Sequence, residues 1–113
     1  MIKLQEYLDV VDHEVLTPDL DISEIEIESG YVSDLLSDVM GSVKINQIWF
    51  TIMRHMNVIA VASMADIPCV IFAKNIMPDK MVIDKAIDEG IVLVKCNHTV
   101  FDCAGKLYNL LNK

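Results

Sequence analysis

The sequence predicts a single α/β domain: a mainly parallel open sheet covered by helices, with an extra N-terminal helix and edge strand. Three observations carry that expectation. The runs "QIWFTI", "CVIFA" and "IVLVKC" are short, continuous and apolar, as strands buried on both faces are. Helical segments separate them, so that strand and helix alternate from residue 29 onward. The length of 113 residues allows one hydrophobic core. A domain of that size buries roughly two thirds of its unfolded surface, enough to fold without metal or disulfide support.

The elements follow in order. Across residues 3–11, Leu4, Tyr7, Leu8 and Val11 fall on one helical face. Glu14 to Leu16 reads as a short strand, and "TPDLDISE" as an acidic loop holding Pro18. "IEIES" alternates strictly: Ile25 and Ile27 point inward, Glu24, Glu26 and Glu28 toward water, which suits a sheet edge. Gly30 interrupts that strand or marks a bulge in it. Residues 34–42 then form a helix, 47–52 a strand, and 56–65 a helix apolar nearly all round.

Pro68 opens the strand "CVIFA". The helix over 79–89 turns Val82, Ile83, Ala86 and Ile87 inward and ends at Gly90, a C-cap. After "IVLVKC", Thr99 and Asp102 have the spacing of a capping box, with Asp in place of Glu. Val100, Ala104, Leu107 and Leu111 form the core stripe of the last helix.

Composition narrows the function. Nine basic against 17 acidic residues give a net charge of −8, which disfavours nucleic acid and anionic membrane as partners. Cys69, Cys96 and Cys103 are odd in number and share no CxxC spacing, as expected of a reduced, cytoplasmic protein. The charges within residues 1–11 do not suit a signal peptide, and no run approaches the ~18 apolar residues of a membrane span. With only 6% aromatic residues, the core falls to Ile, Val, Leu, Met and Ala, and the seven methionines read as core filler. The apolar share of 53% leaves apolar surface for a partner.

No phosphate-loop, dinucleotide or nucleophile-elbow motif is present. "CNHTVFDC" brings Cys96, His98 and Cys103 close, but without zinc spacing or a fourth ligand, so no metal and no other cofactor is expected. Parallel sheets bind ligands beyond the carboxyl ends of their strands. Ser33 and Asp34 follow the first strand there, Arg54, His55 and Asn57 the second, Lys74 and Asn75 the third, and Asn97, His98 and Thr99 the fourth. The candidate ligand-binding set is Ser33, Asp34, Asp38, Thr51, Arg54, His55 and Asn57; no catalytic residue is assigned.

At 100° per residue, Leu35, Leu36, Val39 and Met40 share a dry arc of the helix over 34–42, and Asp34, Ser37, Asp38 and Gly41 a wet one. Asp34 or Ser33 is the expected cap. Asp34 repels a phosphate at this helix tip, whereas Arg54, His55 and the start of the next helix attract one.

Four stretches, "GYVSDLLSDVM", "WFTIMRHMNVIAVA", "PDKMVIDKAIDEGIVLV" and "HTVFDCAGKLY", together resemble the DRTGG domain family. The resemblance covers residues 30 onward and, more loosely, 1–113 as one domain. Residues 68–111 are also similar to the N-terminal, non-catalytic domain of HPr kinase/phosphatase. The literal Asp-Arg-Thr-Gly-Gly string and any P-loop kinase domain are absent, so kinase activity is not implied. The resemblance implies a non-catalytic regulatory module that binds a small ligand or a protein, often as a homodimer. The leading expectation is a sensor of a small polar metabolite or nucleotide. Alternatives are an adaptor for a kinase or redox enzyme and, last, a small phosphohydrolase holding a metal on Asp34 and Asp38.

Overall fold

A computed structural model describes all residues, 1–113. Five strands form the main sheet in the order β2-β7-β6-β5-β4: β2 (His13–Val15), β7 (Val92–Cys96), β6 (Cys69–Phe72), β5 (Gln47–Thr51) and β4 (Ser29–Val32). The last four run parallel, while β2 lies antiparallel on β7. This is the mainly parallel α/β sheet expected. "IEIES" is not an edge of it. Within that run Glu26–Ile27 form β3, which pairs with β1 (Ile2–Lys3) in a separate two-stranded ribbon, and only the last residue of the run, Ser29, belongs to the main sheet, as the start of β4. The edges of the main sheet are β2 and β4.

Alternation within the central strands divides the core in two. Ile48, Phe50, Ile71, Val92 and Val94 face one side, with α1 (Leu4–Leu8) and α5 (Val100–Leu111). Trp49, Val70, Phe72 and Leu93 face the other, with α2 (Leu36–Ser42), α3 (Met56–Met64) and α4 (Lys80–Glu89). Both faces are covered, which is why the strands read as unbroken apolar runs.

Moving from β4 to β7, each strand lies beside the one before it. Right-handed crossovers between strands added always in the same direction must land on one face. So α2, α3 and α4 form one layer, and only α5, after β7, crosses behind the sheet to pack over β4 and β5.

Local sequence explains the boundaries. Leu4, Tyr7, Leu8 and Val11 are all buried, although the regular helix stops at Leu8. Gly90 closes α4 in the left-handed conformation, φ 74°. Thr99 caps α5 by accepting a hydrogen bond from the Asp102 N–H at 3.2 Å. Gly30 is neither an interruption nor a bulge: it sits in register opposite Ile48. A Cβ there would stand 2.8 Å from the Phe50 ring and 3.0 Å from Leu107 Cδ2, so close approach is what excludes a side chain. Methionine is not core filler here: none of the seven is buried.

Candidate functional site

The carboxyl end of β4 differs from the expected helix start. The Ser33 hydroxyl accepts a hydrogen bond from Leu35 N–H at 3.1 Å, a local turn that delays the helix. As a result α2 begins at Leu36, with Leu35 at its N-cap and no side-chain cap from either Ser33 or Asp34. Asp34 lies outside the helix. Its Oδ1 instead reaches across to β5, accepting from Thr51 Oγ1 at 2.6 Å and from Ile52 N–H at 3.0 Å. Thr51, 1% exposed, in turn accepts from Met53 N–H at 3.1 Å. Ser33, Asp34 and Thr51 thus lie together at the strand ends, with Asp34 outside the helix it was expected to start.

The predicted dry arc also splits. Val39 is buried and Leu36 half-buried, while Leu35, which lies outside the helix, and Met40 are exposed. Asp38, assigned to the wet arc, is half-buried and accepts from Tyr31 Oη at 2.8 Å and Ser42 Oγ at 3.4 Å. Asp34 and Asp38 are therefore held by different partners, the first on β5 and the second on β4 and α2.

The Tyr31 hydroxyl, with Ser33 and Ser42, holds the Asp38 carboxyl below its ordinary range. A depressed carboxylate adds stability that is present above the unfolded value, ~3.9, and fades as pH falls through the folded one. Replacing Tyr31 with Phe should raise the Asp38 midpoint in a carboxyl NMR titration. It should also flatten the rise of stability with pH in that acid window. An unmoved midpoint would remove Tyr31 as the cause.

Arg54 and His55 lie exposed between β5 and α3, Asn57 lies exposed in the first turn of α3, and their side chains make no hydrogen bond or ion pair within the protein. His55 is the backbone N-cap of α3, with no side-chain cap; the Val58 N–H donates to the His55 carbonyl at 3.0 Å, which leaves the Met56 and Asn57 N–H groups without a protein acceptor. None of the five principal cavities is lined by any of the seven candidate residues. Their rim is an open surface.

The topology explains this. A crevice forms where the connections from neighbouring strands leave toward opposite faces. β4, β5 and β6 all send their chains to the same face; only β6 and β7 diverge. A cleft of about 220 Å³ does lie there, lined by Asp12, His13, Glu14, Asn75, Lys95 and Asn97. It is bridged across its base by Lys74 N–H to the His98 carbonyl at 2.7 Å and Asn75 N–H to the Cys96 carbonyl at 2.9 Å. Lys74 and Asn75 both adopt left-handed backbone to make those bonds, φ 60° and 59°. Asp12 covers one side, its N–H donating to His98 Nε2 at 3.2 Å. Sequence reading placed Asn75, Asn97 and His98 at this end but missed Asp12, which reaches it only because β2 returns antiparallel.

Cys96 and Cys103 belong to the core beneath, their Sγ atoms 2.8 Å apart. The hydrogen bond to Cys96 and burial push the Cys103 thiol up, and burial alone pushes up Cys69.

The largest cavity, about 810 Å³, is elsewhere: a groove between β4 and α5, floored by Phe50 and Leu107 and bordered by Val32, Phe101 and Tyr108. The sequence carried a signal for it in the second apolar spacing of α5, Phe101, Ala104, Gly105 and Tyr108.

No family model and no curated protein sequence matches this chain. Among solved structures, it is similar to the CBS and DRTGG domains of the regulatory region of Clostridium perfringens pyrophosphatase, in complex with the activator diadenosine tetraphosphate. The TM-score is 0.70 at 14% sequence identity, over 93% of this chain and 45% of that one. At that identity the likeness is one of fold, and the chain spans under half of the matched structure.

Proposed function

We propose that this protein is a non-catalytic regulatory module that senses a small phosphorylated metabolite or nucleotide at the carboxyl ends of β4 and β5, as a cytoplasmic homodimer. The observation that carries the reading is the start of α3. Unpaired helix N–H groups, the Arg54 guanidinium and the His55 ring all stand free at one place, the combination that attracts phosphate. Asp34 and Thr51 fix the neighbouring strand ends, so a ligand would meet a rigid border, and Asn57 adds an amide for a ribose or base. An open rim suits a ligand that is sensed and released rather than converted. The likeness in fold to a pyrophosphatase regulatory region, and the resemblance to DRTGG domains, support regulation over catalysis.

Isothermal calorimetry against nucleotides and phosphorylated metabolites tests this. Saturable binding that Arg54→Gln weakens by on the order of tenfold or more is expected, as for loss of one charge-assisted contact. Absence of binding across the panel, or binding indifferent to Arg54 and His55, would overturn the site.

The adaptor reading has an observation of its own: Met56, Met64, Met77 and Met81 are exposed, and methionine surfaces adapt to varied partners. A stable partner recovered from the native host, held equally well by an Arg54→Gln variant, would favour it.

A further inference from the structure

The two edges of the main sheet are built differently. β2 carries His13 and Glu14, and Glu14 is held by Lys95 at 3.3 Å; a charged, short edge resists pairing with another chain. β4 is "SGYV", with no charge and no proline, and no strand pairs with its outer side. Beside it runs the groove of about 810 Å³.

α5 also has two apolar faces. Cys103 and Leu107 are buried in the core. Phe101, Ala104, Gly105 and Tyr108 form another stripe at i, i+3, i+4 and i+7, and all four line the groove. Phe101 is 84% exposed and Tyr108 69%, large aromatic surfaces with nothing over them. Between them Ala104 and Gly105 leave room, and a Cβ at Gly105 would meet no atom within 4 Å.

We propose that a second copy of this chain covers this face, β4 lying antiparallel to its mate and the two α5 helices packing side by side across a two-fold axis. The proposal rests on the homodimeric part of the function above and gives it a location. Two features select a copy of the same chain. First, a protein of net charge −8 can meet itself only where charge is scarce, and Glu28 is the one charged side chain lining the groove. Second, the spacing fits. α5 lies over β4 and β5 while leaving Gly30 and Val32 exposed at the edge. Its two-fold mate would then stand about two strand spacings away, roughly 10 Å, which is a helix-packing distance. The aromatic side chains of each α5 would fill the groove of the other, and the sheet would continue through both subunits.

Sedimentation equilibrium on the full chain tests the assignment with three variants. Tyr108→Glu places charge in the face, and Gly105→Trp fills the helix crossing from a position whose Cβ meets no atom within 4 Å in a single subunit. Met81→Glu changes an equally exposed apolar residue, 73%, on α4, outside the groove. The wild type and Met81→Glu should be dimeric. Tyr108→Glu and Gly105→Trp should each raise the dissociation constant roughly 30-fold or more, the size of an interface hot spot, with unchanged far-UV circular dichroism. A dimer that survives both substitutions overturns this face and leaves the homodimeric reading standing. A monomeric wild type overturns both, and nucleotide calorimetry reports on the sensing site independently.

Discussion

Truncating Tyr7 to Ala should cost about 3–5 kcal/mol of folding stability, the range for removing a buried aromatic ring. Tyr7 is fully buried on α1 and meets Phe50 of β5 edge-on, with ring centroids 6.0 Å apart and planes at 78°. Its hydroxyl donates to the Cys103 carbonyl on α5 at 2.9 Å, and burial pushes that phenol well above its ordinary range. The ring thus joins α1, the sheet and α5 at one point. A small domain has only about 5–15 kcal/mol in total, so this one change consumes a large share. Urea denaturation should show a lower midpoint, and Tyr7→Phe should lose only about 1 kcal/mol, the value of one hydrogen bond. If Tyr7→Ala cost less than Tyr7→Phe is expected to, α1 would not be part of the cooperative core.

Gly30→Ala should destabilise by about 1–3 kcal/mol, as overpacking does. The added methyl meets an aromatic ring at 2.8 Å and the Leu107 side chain at 3.0 Å. Backbone conformation is not the cause, since Gly30 has ordinary extended geometry within β4. A double-mutant cycle separates the two explanations. Gly30→Ala combined with Leu107→Ala should cost clearly less than the sum of the single changes, because the second makes room for the first. Strict additivity would show that Leu107 has no part in the clash and would leave the Phe50 ring, at 2.8 Å, as the group the glycine avoids.

These two residues also show what the sequence could and could not convey. The heptad-like spacing of Leu4, Tyr7, Leu8 and Val11 was enough to place a buried helical face, because every one of those positions obeys a local period. The parallel strands were legible for the same reason: burial on both faces leaves an unbroken apolar run. Gly30 was legible as special, but its cause was not, since Phe50 and Leu107 lie 20 and 77 positions away in the chain. Asp34 failed in a different way. Its spacing from Asp38 is helical, yet the Ser33 hydroxyl holds the Leu35 N–H and the Thr51 hydroxyl holds the Asp34 carboxylate, and hydrogen bonding prevailed over periodicity. The expected pocket at the strand ends assumed a divergence of neighbouring connections. That depends on strand order, which no single segment encodes.

Trp49 gives the candidate site an optical readout of its own. It is the one tryptophan of the chain, fully buried in β5, and its indole N–H donates to the Ser33 carbonyl at 2.8 Å, one residue before Asp34. Indole emission responds to the polarity and hydrogen bonding of that nitrogen. A ligand that shifts the Ser33–Asp34 turn therefore changes the fluorescence of the unmodified protein, and one that binds only in the groove beside β4 acts on a different wall of the core.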